Sequence, residues 1–309
     1  MTSTKPLRAL RSVGVAVQLL LKGFAMGTAG LIPGVSGGTL ALLLGVYETL
    51  VEAIRVASSP QTVKALLGRR WMEFGERVSW QLLVPIGLGA LTAVITMSHI
   101  MEWLLNTFPI QMSAFFFGLV AASMVVVARK IEHWNPRIAI GFILGAAAAW
   151  FLLDLTPAQT PNTLWMLFLS GAVAKCAFVL PGISGSYVLL VFGQYQYALA
   201  AVTQRNILAI AMILLGAVAG LVTFAQALSW LFRRHRDLTL AVLGGLILSS
   251  LRTLWPWMMT YTSAANIERQ RPILPAAWTP EVGVVALLVV VGFFVVLALG
   301  REPARQTEV

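Results

Sequence analysis

Charge is what this sequence has least of. Only 11% of its 309 residues are Asp, Glu, Lys or Arg, against 58% apolar ones and a mean hydropathy of +0.83. A soluble globule carries about a quarter charged residues, so that class is excluded and a polytopic membrane protein is left. Cysteine occurs once, as Cys176 within an apolar segment, which rules out an internal disulfide. Histidine occurs three times: His133 and His235 fall in expected cytoplasmic turns and His99 near the end of a span. No imidazole is therefore placed at membrane depth to activate a serine. This removes the intramembrane protease that G-x-S-G at Gly34-Val35-Ser36-Gly37 and Gly182-Ile183-Ser184-Gly185 would otherwise suggest. Two equivalent nucleophiles in opposite orientations make no mechanistic sense either. An A-x-A site is missing after the first apolar run, so no cleavable signal is expected.

Lys and Arg outnumber acids by 22 to 12, and their placement decides what the excess is for. Sixteen lie in five groups: Lys5, Arg8 and Arg11; Arg55, Lys64, Arg69, Arg70 and Arg77; Arg129, Lys130 and Arg137; Arg233, Arg234 and Arg236; Arg301 and Arg305. The connections between alternate groups are almost free of basic residues. That is the positive-inside pattern, which points to a membrane, not to nucleic acid, and puts both termini in the cytoplasm.

Two interruptions organise the apolar sequence. Pro33-Gly34-Val35-Ser36-Gly37-Gly38-Thr39 returns as Pro181-Gly182-Ile183-Ser184-Gly185-Ser186-Tyr187. Proline removes a backbone donor and glycine admits conformations other residues avoid, so each unit reads as helix, break, helix. At membrane depth a break is tolerated only where it is buried in protein or faces a wet cavity, which makes it a candidate site. Unpaired N–H groups opening the next helix, with Ser and Thr hydroxyls beside them, suit an anion.

The remaining apolar runs supply spans long enough for about 30 Å of hydrocarbon. The expected fold is an all-α polytopic membrane protein of two repeats. Residues 1–155 hold a re-entrant hairpin over 12–50 and spans over 80–105, 110–128 and 138–153. Residues 156–309 hold a hairpin over 163–200 and spans over 206–232, 238–257 and 281–300. Leu88-Gly89-Ala90, Thr96 and Trp103-Leu104 recur 127 positions on as Leu215-Gly216-Ala217, Thr223 and Trp230-Leu231, and Gly118-Leu119 recurs as Gly245-Leu246. The breaks are 148 apart, the difference matching the long basic loop after the first hairpin. Three spans per half turn the second copy upside down, as in secondary transporters with broken-helix sites near the midplane.

The candidate substrate-binding residues are Pro33, Gly34, Ser36, Gly37, Gly38, Thr39, Pro181, Gly182, Ser184, Gly185 and Ser186, with two cations. Arg252 stands about 21 Å along its span, a charge in the outer half of the pathway or one snorkelling to the headgroups. Lys175, six residues before Pro181, is expected in a polar cavity or an ion pair. Glu48 is the candidate for ion coupling, or a partner of Arg55 or another base. Lys22 reads as an interface residue, Tyr47 and Tyr195 as packing, and His99, Glu102 and Asp154 as solvated near the outer interface.

Met26 to Thr39, Leu180 to Tyr187, Gly193 with Tyr195, and Ser250-Leu251-Arg252 with Leu254-Trp255-Pro256 resemble the bacterial polyprenyl-phosphate transporters. The resemblance covers the chain from about Lys22 to about Gly300. It implies movement of undecaprenyl phosphate, the lipid carrier of cell-wall precursors, from the outer to the inner leaflet of the cytoplasmic membrane for reuse. It implies no metal and no cofactor, with proton or sodium coupling open. In that family an acidic residue commonly stands where this chain has Gly30, which puts carboxylate-linked coupling in question. Undecaprenyl-pyrophosphate phosphatases are the neighbouring class, through their P-G-x-S-R-S-G motif. Here Gly185 replaces the arginine and no acid cluster offers a base or a metal site. A small-anion channel is the third reading.

Overall fold

The computed structural model describes residues 13–32, 35–155, 158, 160–262, 268–275 and 277–299. The N-terminal basic lead, Pro33, Gly34 and the chain after Leu299 lie outside the described residues. From the first break come α1 (Val13–Gly30) and α2 (Gly37–Leu43), followed by α3 (Tyr47–Ala57), α4 (Pro60–Leu67) and α5 (Trp71–Arg77). Then come α6 (Trp80–Thr107), α7 (Pro109–Arg129) and α8 (Pro136–Leu153). The second unit repeats the order with α9 (Leu164–Val179), α10 (Gly185–Val191), α11 (Tyr195–Thr203), α12 (Ile207–Arg234), α13 (Arg236–Ser250) and α14 (Pro280–Leu299).

The helix starts follow local chemistry. Asn135, Thr163 and Asn206 each accept a hydrogen bond from the backbone N–H three residues on, and Pro109 and Pro136 occupy first-turn positions where no N–H is needed. Among the described residues, seven helices are long and apolar enough to cross a membrane. Their outer faces expose Leu, Ile, Val and Phe, with Trp80, Trp103, Trp165 and Trp230 exposed near helix ends where aromatic belts form. The protein is a multi-pass membrane protein.

Glycines set the packing. On α1 and α6, Gly23 meets the backbone of Ile86 and Gly89 that of Leu20; on α9 and α12, Gly171 meets Ile213 and Gly216 meets Phe168. Between the halves, Gly118 of α7 meets Val289 of α14 and Gly292 meets Phe115, while Gly245 of α13 meets Phe142 of α8 and Gly145 meets Val242. In each pair a Cβ on the glycine would overlap backbone atoms, so the helices touch main chain to main chain. Partners in the first half recur 127 or 147–148 positions on in the second.

The helix after each break is short, seven residues or about 10 Å, and ends at a turn with positive φ at Gly45 (71°) or Gly193 (66°). One span needs correction. The span expected over 238–257 stops as an α-helix at Ser250 and tightens into a 3-10 turn, Leu251–Leu254, ahead of Pro256. The connection between α13 and α14 adds a small antiparallel hairpin of β1 (Met258–Thr262) and β2 (Glu268–Pro272) to an otherwise all-α fold.

Candidate functional site

The first break folds against the second. Ser36 caps α2, its Oγ accepting from Gly38 N at 3.1 Å, and the same hydroxyl lies 3.2 Å from Leu180 O and 3.4 Å from Phe178 O. Tyr47 Oη donates to Val179 O at 3.1 Å, so it is more than packing. The last carbonyls of α9, left without helical partners by the second break, are therefore satisfied by the first unit. Gly38 lies against Val179 O and Gly37 against Met26 O, and the Thr39 hydroxyl is buried without a partner. Among the described residues, the start of α2 is lined by its own Ser36 hydroxyl and by the backbone of Met26 and Val179.

The second break is built differently. Pro181, Gly182 and Ile183 are buried, and Gly182, at φ 83°, leaves no room for a Cβ beside Leu246 O (2.8 Å) and Ser250 Cβ (3.1 Å) of α13. Gly185 packs on Ala174 O of α9. Ser184 does not cap α10; its Oγ lies 2.8 Å from Ser186 Oγ, and Ser186 is exposed. Tyr187 Oη lies 3.1, 2.9 and 3.4 Å from the carbonyl oxygens of Leu152, Leu153 and Leu155, joining α10 to the end of α8.

Arg252 stands beside this second break, two residues past the Ser250 that Gly182 touches. Its Nη2 donates to Asp154 Oδ1 at 2.8 Å, and its Cζ lies 4.3 Å from the centre of the Trp150 ring. Nη1 is buried and has no hydrogen-bond partner among the described residues. The guanidinium forms part of the wall of a cavity of about 540 Å³, together with Phe117, Ile143, Ala146, Ala147, Trp150, Leu248, Ser249, Leu251, Trp255 and Pro272. Ser249 spends its hydroxyl on Ala146 O at 2.6 Å, which leaves Arg252 as the cavity's polar feature. Neither Ser36 nor Ser184 lines it, so the two breaks meet each other but do not share this hollow.

The remaining candidates sit elsewhere. Lys175 holds its ammonium 4.2 Å from the centre of the Phe178 ring, and among the described residues it forms no ion pair. Lys22 Nζ donates to Leu44 O at 3.1 Å and Lys130 Nζ to Leu42 O at 2.7 Å, two cations at the negative end of α2. Glu48 pairs with Arg236 instead of Arg55, through Nη2 at 3.1 Å and Nε at 3.3 Å, and Arg236 also reaches Glu132. Arg55 instead takes Glu52, which further accepts from Ser229 Oγ (2.5 Å) and Arg233 Nη1 (3.2 Å) of α12. Gly30 is exposed, and a side chain there would meet nothing within 4 Å.

Sequence reasoning left out Trp150 and treated Asp154 as merely solvated. A signal was available: Asp154 is the sole carboxylate between Glu132 and Asp237, and Arg252 the sole base between Arg236 and Arg269. A lone acid and a lone base in apolar surroundings have reason to meet.

Residues 26–270 match a family model described as undecaprenyl phosphate translocase-like (VCA0040-like). The chain belongs to that family. A relative in the translocase-like set, the polyprenyl-phosphate transporter of Vibrio cholerae, is 38% identical over 261 residues, covering 84% of each chain. A second, the polyprenyl-phosphate transporter of Staphylococcus aureus, is 30% identical over 307 residues, covering 93% of this chain and 97% of its own. No solved structure gave a significant match. The translocase-like match takes in both breaks, the Arg252 turn and its Asp154 partner.

Proposed function

We propose that the protein carries undecaprenyl phosphate across the bacterial cytoplasmic membrane, from the outer to the inner leaflet, and binds its phosphate at Arg252. The observation that carries this reading is Arg252, a guanidinium in the wall of an otherwise apolar cavity, whose buried Nη1 has no hydrogen-bond partner among the described residues. A buried donor without an acceptor is costly, and a lipid phosphate removes that cost while its isoprenoid chain lies along the apolar wall. An inorganic anion would satisfy the arginine but leave the apolar wall unused. Ser184 and Ser186, on the open break next to Ser250, are assigned to the phosphate during its passage.

The matched glycine contacts of the two halves support a repeat; three spans after each break support its inversion with re-entrant hairpins, and the basic connections support cytoplasmic termini. The assigned role is hydrogen bonding and charge, without chemistry. Gly185 stands where a phosphatase would place an arginine, and among the described residues no group of His, Cys, Asp and Glu could hold a metal.

The test is leaflet-resolved movement of labelled undecaprenyl phosphate in proteoliposomes. The expected result is transfer by the native protein and a loss of at least about tenfold in Arg252→Gln, the equivalent of one charge-assisted contact. Unchanged transfer in Arg252→Gln overturns the site. Pyrophosphate cleavage that disappears in Ser184→Ala overturns the carrier in favour of an enzyme, and anion flux independent of the lipid tail overturns it in favour of a channel.

A further inference from the structure

The Arg252 site already contains a negative charge. Asp154 and Trp150 stand four residues apart at the end of α8, on one helical face, and grip the guanidinium from its edge and its plane. The segment carrying Asp154 is itself held, since the Tyr187 hydroxyl donates into its carbonyls, Leu153 O at 2.9 Å being nearest, with Leu152 O and Leu155 O within reach. This arrangement engages Nη2 with Asp154, while Nη1, buried, has no hydrogen-bond partner among the described residues.

Before any lipid arrives the pair is electrically balanced, and among the described residues lining the cavity Arg252 is the one cation. A phosphate monoester brings between one and two negative charges. It meets one guanidinium nitrogen, with the carboxylate on the far side of the same fork. A pyrophosphate on the same isoprenoid tail brings a further anionic phosphate, and the described residues lining the cavity offer no second cation to receive it. Asp154 is the anion already bonded to the guanidinium, so a second phosphate held near Arg252 meets a like charge that repels it.

We propose that Asp154 makes this site selective for a lipid with a single phosphate, acting as a positioning residue for Arg252 and as a repulsive charge against a diphosphate head. The proposal rests on the carrier reading above and adds which member of the lipid-phosphate class is refused.

The experiment is equilibrium binding of undecaprenyl phosphate and undecaprenyl pyrophosphate to the full-length protein in nanodiscs, read as the ratio of their Kd values. The native protein is expected to favour the monophosphate. Asp154→Asn and Asp154→Ser are expected to move the ratio toward the pyrophosphate by about tenfold, while Asp154→Glu, which keeps the charge, holds it near the native value. A purely structural role would weaken both lipids alike and would not separate Glu from Asn. The inference is overturned if the neutral variants keep the native ratio, or if both fail to fold as judged by thermal unfolding, since Asp154 is then structural. In either case monophosphate binding that is lost in Arg252→Gln leaves the carrier reading intact. Absence of monophosphate binding by the native protein overturns both.

Discussion

Ser36 and Ser184 stand 148 residues apart in the same motif, yet their hydroxyls do different things. Ser36 is buried, caps its helix and reaches Leu180 O, whereas Ser184 is half-buried, caps nothing and meets only Ser186. Ser36→Ala is therefore expected to cost about 1–2 kcal/mol, from the lost cap and a buried carbonyl left unpaired. Ser184→Ala is expected to stay within about 0.5 kcal/mol. Thermal unfolding of both variants in one detergent checks the contrast, and equal effects would contradict it. The motif was visible in the sequence, but the difference was not. It arises because the first break rests on the end of α9 and the second on α13, partners that lie far away along the chain.

At the level of elements, α3 is tied to α12 by charge. Glu52 takes Arg55 from its own helix and Ser229 and Arg233 from α12, and these bonds, that of Arg55 first, hold its carboxyl below the ordinary Glu range despite the opposing effect of burial. A depressed folded-state pKa means stability that is complete above the unfolded value of about 4.3 and is lost as the pH falls through the lower folded value. The side chain is 43% exposed, so solvent screening keeps the contribution small. Glu52→Gln is expected to flatten the acid limb of a stability–pH profile below about pH 4.5 and to leave its neutral region nearly parallel to the native one. A variant profile with the native acid slope would contradict this. The sequence marked residues 51–79 as a basic cytoplasmic connection with amphipathic helix, and α3, α4 and α5 occupy it. It did not pair Glu48 with Arg236, because nothing local distinguishes Arg236 from Arg55. The β-hairpin was missed for a different reason. Thr260, Tyr261 and Thr262 carry strand propensity, but the long outer loop was read only for its place between spans.

For the whole molecule, apolar runs and basic connections gave the six long spans after the two breaks in their order, as α6, α7, α8, α12, α13 and α14, since hydrocarbon thickness leaves few alternatives. The 127- and 148-residue spacings read from short matching strings recur in the glycine contacts, because close approach of two backbones admits few other residues. What the strings could not give was the cavity: Arg252 meets Asp154 across 98 positions, and the α-helix stops at Ser250 to let it. Sidedness is checked by single cysteines in a Cys176→Ala background. Gly75→Cys is expected to react with an impermeant maleimide only from the cytoplasmic side and Thr260→Cys only from the outer side. The reverse pattern would invert the orientation read from loop charge.

The glycine seams also limit how the protein can work. With main chain pressed on main chain between α7 and α14 and between α8 and α13, neither joint has slack, and prising one open would expose unpaired surface along its whole length. The flanking pairs, α1 with α6 and α9 with α12, are sewn in the same way, so these helices are held as four pairs whose separation would break whole seams at once.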